Sequence, residues 1–161
     1  MNFRLSILIF VSALFFTACF KTPEYPVEPS VKFESYDKPS DVFTLGETGN
    51  MVISFTDGDG DLGKATNQDS SSRVYYRNQK DTAFFKENYY VIPNIPAKGT
   101  TNAISGTLEI KLSEALFNSY ETYFVFKGKT IDTFTYKLYI TDRANHISNV
   151  ITTPPIIVKY Q

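Results

Sequence analysis

The residues best suited to chemistry stand together in Phe55-Thr56-Asp57-Gly58-Asp59-Gly60-Asp61-Leu62-Gly63. Three carboxylates at two-residue intervals repel. At ~6 Å, each pair costs roughly 0.7 to 3 kcal/mol for an effective dielectric between 80 and 20. The intervening glycines let the loop curl so that Asp57, Asp59 and Asp61 aim inward. Hard oxygen ligands without His or Cys suit Ca²⁺, with Mg²⁺ second. An EF-hand is a poor fit, because counting from Asp57 puts Leu62 where the turn glycine belongs and Gln68 where the bidentate glutamate belongs. Asp and Gly are also favoured turn formers, so a solvated turn without an ion is the competing reading.

Little else in the chain offers catalysis. His146 is the only histidine and Cys19 the only cysteine. A cysteine nucleophile and a zinc site are therefore excluded from the soluble part, and a histidine triad would have to use His146, which reads as a surface-loop residue. No G-x-S-x-G, P-loop or G-x-G-x-x-G pattern occurs. Tyrosine is abundant, with 11 residues including Tyr75-Tyr76 and Tyr89-Tyr90, and tryptophan is absent. In a strand each adjacent pair sends one ring inward and one outward. Exposed tyrosines could form a protein- or glycan-binding face, against the plainer reading of core filling and ordinary sheet surface. The missing Trp counts against a sugar-stacking platform.

The elements that must position these residues have a period of two. Val31, Phe33 and Ser35 alternate with Lys32, Glu34 and Tyr36. Met51, Ile53 and Phe55 follow the Gly49-Asn50 turn signal, and Ile104 to Leu112 and Phe134 to Ile140 repeat the pattern. Weaker strand candidates are Val42 to Leu45, Arg73 to Asn78, Ala83 to Ile92 and Ile156 to Lys159, the last confined by Pro154-Pro155 to an edge or a late start. One helical turn is predicted at Ser113 to Tyr120, capped by Ser113. Seven to eight short antiparallel strands without alternating helices predict an all-β sandwich, with Ile53, Phe55, Leu108, Ile110, Tyr136 and Leu138 facing inward.

The chain begins with Arg4, an apolar run from Leu5 to Phe16, and small residues before Cys19. That run is too short for the ~20 residues of a spanning helix and reads as an export signal. Phe16-Thr17-Ala18-Cys19 resembles a bacterial lipobox, which implies cleavage before Cys19 and covalent lipid on its thiol; an ordinary secretory signal with an incidental cysteine is the alternative. The expected organisation is a signal peptide at 1–18, a lipid-anchored Cys19 with a Pro-rich linker at 19–30, and one domain at 31–161. Pro23, Pro26 and Pro29 stand three apart, the period of polyproline II, so the linker is an extended or disordered spacer. Phe20 follows the cysteine where inner-membrane retention calls for aspartate, which favours the outer membrane and leaves periplasmic and surface-facing placements open. Without Arg4, 15 basic side chains face 17 acidic ones, so nothing favours nucleic acid as a partner.

Together the lipobox, the Asp57 to Gly63 loop and the late loop Asp142-Arg143-Ala144-Asn145-His146-Ile147-Ser148-Asn149 resemble small lipoproteins of Bacteroidetes-type bacteria that carry an immunoglobulin-like domain. The resemblance spans roughly residues 31 to 160 and implies an immunoglobulin-like sandwich. In such a fold Met51 to Thr56 as strand B and Thr133 to Thr141 as strand F would send their following loops to the same end. Asp142 then approaches Asp57, Asp59 and Asp61 as a fourth carboxylate, or Arg143 neutralises them; turn chemistry alone also explains Asp142 and Asn145. The expected function is a non-catalytic, lipid-anchored envelope module with a calcium-stabilised loop and a protein partner. A glycan-binding accessory lipoprotein is the alternative, and an enzyme ranks third.

Overall fold

A computed structural model describes residues 24–38, 41–96, 102–112 and 114–160, with side chains at 114–117 excepted. The expected signal peptide, Cys19, the first residues of the expected linker and Ser113 lie outside the described residues. Among the described residues, ten strands and one helix form an all-β sandwich. The strands are β1 (Ser30–Tyr36), β2 (Val42–Thr44), β3 (Gly49–Asp57), β4 (Arg73–Asn78), β5 (Asn88–Val91), β6 (Ile104–Leu112), β7 (Ile131–Phe134), β8 (Tyr136–Thr141), β9 (Ile151–Thr152) and β10 (Ile156–Lys159); α1 (Glu114–Lys127) lies between β6 and β7. They make three sheets, ordered β1-β3-β6, β2-β10-β7 and β5-β4-β8-β9. All pairs are antiparallel except β2 with β10, where the chain lays β2 alongside the terminal strand in the same direction.

The period-two pattern works because each strand has one face in the core. Along β3 burial alternates without a break, and Met51, Ile53, Phe55 and Asp57 all point inward. In β1 the alternation slips. A bulge between Phe33 and Ser35 places Val31, Phe33 and Tyr36 opposite Phe55, Ile53 and Met51. The extra residue rotates Tyr36 from the expected outer face into the core, where it is 7% exposed and its hydroxyl donates to Thr153 Oγ1 at 2.8 Å. Of the expected inward residues, Ile53, Phe55, Ile110, Tyr136 and Leu138 are buried and Leu108 is half-buried against the same core.

Two corners join the sheets. The run expected as one strand from Thr133 to Thr141 divides at Thr135, with β7 pairing β10 and β8 pairing β4. Between β9 and β10, buried Thr153 uses its Oγ1 to accept the Tyr136 N–H at 3.0 Å, and Pro154-Pro155 delays the strand until Ile156. β10 then takes the centre of its sheet. Of the expected strand at Ala83 to Ile92, only Asn88–Val91 pairs, and Ala83 and Phe84 lie in a turn.

The helix runs seven residues past Tyr120, the expected end. Its extension is a packing effect. Tyr120, Tyr123 and Phe124 are each at most 3% exposed and set their rings against Phe85, Phe134 and Tyr160. A Schellman motif closes it, with Gly128 N–H donating to the Val125 carbonyl and Lys129 N–H to that of Phe124. No helix among the described residues is long and apolar enough to cross a membrane.

Strand direction gives the molecule two distinct ends. The linker enters at Ser30, which pairs with Thr56, so the linker and the acidic loop share one end. Leu112 pairs with Gly49 at the other end of the same sheet, and α1 follows it there.

Candidate metal centre

Strand β3 delivers Asp57 on its inward register, so the first carboxylate of the loop is fully buried. Asp59 and Asp61 are half-buried, and one oxygen from each of the three aspartates lies within 4.8 Å of the others. Each also has a buried Oδ1 that accepts no hydrogen bond from the described residues. A buried carboxylate oxygen without a donor carries its full desolvation cost, and three carboxylates in one place form an oxygen cluster of high negative potential. Burial, followed by the charges of Asp59, Asp61 and Asp142 and opposed by the Leu62 N–H, pushes the Asp57 carboxyl up to about 6. Burial, with Asp142 and Asp59, raises Asp61 as well. This donor set fits a hard divalent cation, which would satisfy the three orphaned oxygens and remove the repulsion.

Other chain segments hold the loop in shape. Asp57 Oδ2 accepts the Leu62 N–H at 3.1 Å, drawing the loop back on itself. Close packing explains the two glycines between the acids. A Cβ on Gly58 would fall 2.3 Å from the Tyr25 carbonyl oxygen, and one on Gly60 would fall 1.9 Å from that of Asn102. The linker and the segment preceding β6 therefore lie directly against the loop.

The second loop arrives where the two-strand geometry predicts. Ala144 N–H donates to Asp61 Oδ2 at 3.0 Å, and Arg143 Nη1 donates to the Gly63 carbonyl at 2.7 Å. Arg143 ties the loops together, and its charge is the weakest of the influences on Asp61. Asp142 is fully buried beside the cluster but is not one of the three converging carboxylates. Its Oδ1 accepts the His146 N–H and its Oδ2 faces His146 Nδ1, each at 2.8 Å. Asp142 thus braces its own loop and adds negative potential to its neighbours.

His146 stands in the late loop with its side chain 37% accessible, and the hydrogen bond to Asp142 raises its pKa. The four-residue spacing from Asp142 was the signal available in the sequence. Asn149, outside the expected site, closes the arrangement: its Oδ1 accepts from Val31 N–H at 2.9 Å and Ser30 Oγ at 3.1 Å, while its Nδ2 donates to the Val31 carbonyl at 2.9 Å. The late loop thereby grips the chain where the linker becomes β1.

The paired tyrosines divide between faces as expected. Tyr76 is buried and stacks on Tyr90, while Tyr75 stacks on Tyr139 with centroids 4.9 Å apart and planes 11° from parallel. Arg73 lies over the 56%-exposed Tyr89 ring. Compared with known proteins, the chain matches no protein-family model and no curated protein sequence.

Proposed function

We propose that this protein is a non-catalytic module of the bacterial outer membrane, held by lipid on Cys19, stiffened at its tethered end by Ca²⁺, and presenting its opposite end to a protein partner. The observation that carries this reading is the polarity of the fold. The linker and the three converging aspartates occupy one end. At the other, α1 exposes Val125 and Phe126, 63% and 73% accessible, with Ile131 beyond them at 52%. Adjacent exposed aromatic and aliphatic side chains are typical anchors for protein contacts. Ca²⁺ is preferred over Mg²⁺ because carboxylate loops with irregular backbone suit its larger, more adaptable shell.

The glycan alternative gains less support. Tyr75 and Tyr139 turn their faces to each other, and Arg73 covers Tyr89, so flat ring surface for a sugar is scarce. Two experiments test the proposal. Cys19→Ala should release the protein from the membrane fraction; a mature, detergent-extracted Cys19→Ala protein would contradict the anchor. In cells, Phe126→Asp should abolish crosslinking from a photoreactive residue at Val125, and crosslinks that survive it would contradict the partner face.

A further inference from the structure

The tethered end also exposes apolar side chains. Val27, Ile147 and Val150 are 45%, 60% and 58% accessible. Connectivity gathers them around the acidic loop. Val27 follows Pro26, whose carbonyl oxygen would lie 2.5 Å from a Cβ on Gly58. Val150 follows Asn149, the residue clamped to Ser30 and Val31. Ile147 follows His146, the partner of Asp142.

We propose that this end docks onto the anionic lipid surface to which the linker runs, with a bound Ca²⁺ bridging Asp57, Asp59 and Asp61 to a lipid phosphate while Val27, Ile147 and Val150 enter the headgroup boundary. The inference rests on the anchored, calcium-binding reading above. Reach supports it: Tyr25, seated on the acidic loop, is six residues from Cys19, a span of at most about 20 Å when fully extended. Coordination supports it too. Three carboxylates leave part of a shell of roughly six to eight oxygens unfilled, and Asp59 and Asp61 are half-buried rather than fully enclosed. Charge sets the condition. Without the ion, the three aspartates and the exposed Glu24 and Glu28 repel a phosphate surface; with it, the cluster attracts one.

The test uses the full lipidated chain carrying Val150→Cys, labelled with an environment-sensitive fluorophore in vesicles of phosphatidylethanolamine and phosphatidylglycerol. Millimolar CaCl₂ should blue-shift the emission, and a chelator should reverse it. The shift should be lost in Asp59→Ala, should weaken in phosphatidylcholine vesicles, and should be absent with the dye at Val125→Cys on the far end. Absence of the shift while calcium still raises the melting temperature would overturn docking and leave the ion site standing. A shift that needs no calcium, survives Asp59→Ala, or is equal on phosphatidylcholine or at Val125→Cys would overturn the ion-bridged contact. Two dyes per chain would show Cys19 free of lipid and overturn the anchor on which the proposal rests.

Discussion

Replacing Asp57 with Asn should stabilise the protein without calcium and abolish its response to calcium. The fully buried Asp57 carboxyl stands at about 6 against an ordinary 3.8. That gap corresponds to at most about 3 kcal/mol spent on keeping the charge ionised near pH 7, and less once solvent screening is counted. Asparagine retains an oxygen for the Leu62 N–H, held at 3.1 Å, and puts an amide donor where the orphaned Oδ1 stood, among the oxygens of Asp59 and Asp61. Allowing for imperfect hydrogen bonds, the net gain should be about 1 to 3 kcal/mol, or roughly 4 to 12 °C in melting temperature for a domain of this size. Calcium at about 10 mM, with a dissociation constant of ~10⁻⁴ to 10⁻³ M, should add about 1.4 to 2.7 kcal/mol to the parent protein and nothing to the variant. Thermal melts by circular dichroism in EDTA and in CaCl₂ read both effects. Acid should narrow the gap: a raised folded pKa means the folded state binds the proton more tightly, so the parent regains stability relative to Asp57→Asn as pH falls from about 7 through 6 toward 4. A variant less stable than its parent in EDTA, or a gap that widens on acidification, would refute the reasoning.

Other substitutions test the frame around the site. Ile53→Ala, at a fully buried position, should cost about 2 to 5 kcal/mol in denaturant melts, while half-buried Leu108→Ala should cost about 1 to 2. Tyr136→Phe removes the hydroxyl that meets Tyr120, a bond within a buried set that includes Asn78, and should cost about 1 to 3 kcal/mol by the same assay. Burial pushes the Asp132 carboxyl up, but Lys129, Lys80, the Tyr123 hydroxyl and the Thr133 N–H together hold it well below the usual range. Asp132→Asn should therefore destabilise by about 1 to 3 kcal/mol at neutral pH, with the deficit shrinking below pH ~4, where Asp132 of the unfolded parent takes up a proton before the folded carboxylate does.

The sandwich and the acidic loop were legible because they depend on local pattern. Alternation in β3 and β6 defines an inward face whatever its neighbours do, and three aspartates spaced by glycines define a loop. What escaped depends on distant contacts. The bulge in β1 reversed Tyr36 because its register is set by Met51 and Thr153, and nothing between Val31 and Tyr36 marks the extra residue. α1 outran its propensity because Tyr123 and Phe124 are held by Phe85, Phe134 and Tyr160. Within the site, the contacts of His146 with both carboxylate oxygens of Asp142 are revealed only by the closed turn.

The most direct test of the central claim is a crystal structure of the chain grown in millimolar CaCl₂, with the ion located by anomalous scattering. One Ca²⁺ should lie about 2.3 to 2.6 Å from oxygens of Asp57, Asp59 and Asp61, with the remaining positions open to solvent or an added phosphate. An ion bound elsewhere, or a loop that stays empty at about 10 mM calcium, some ten times the weakest affinity expected of such modules, would contradict it.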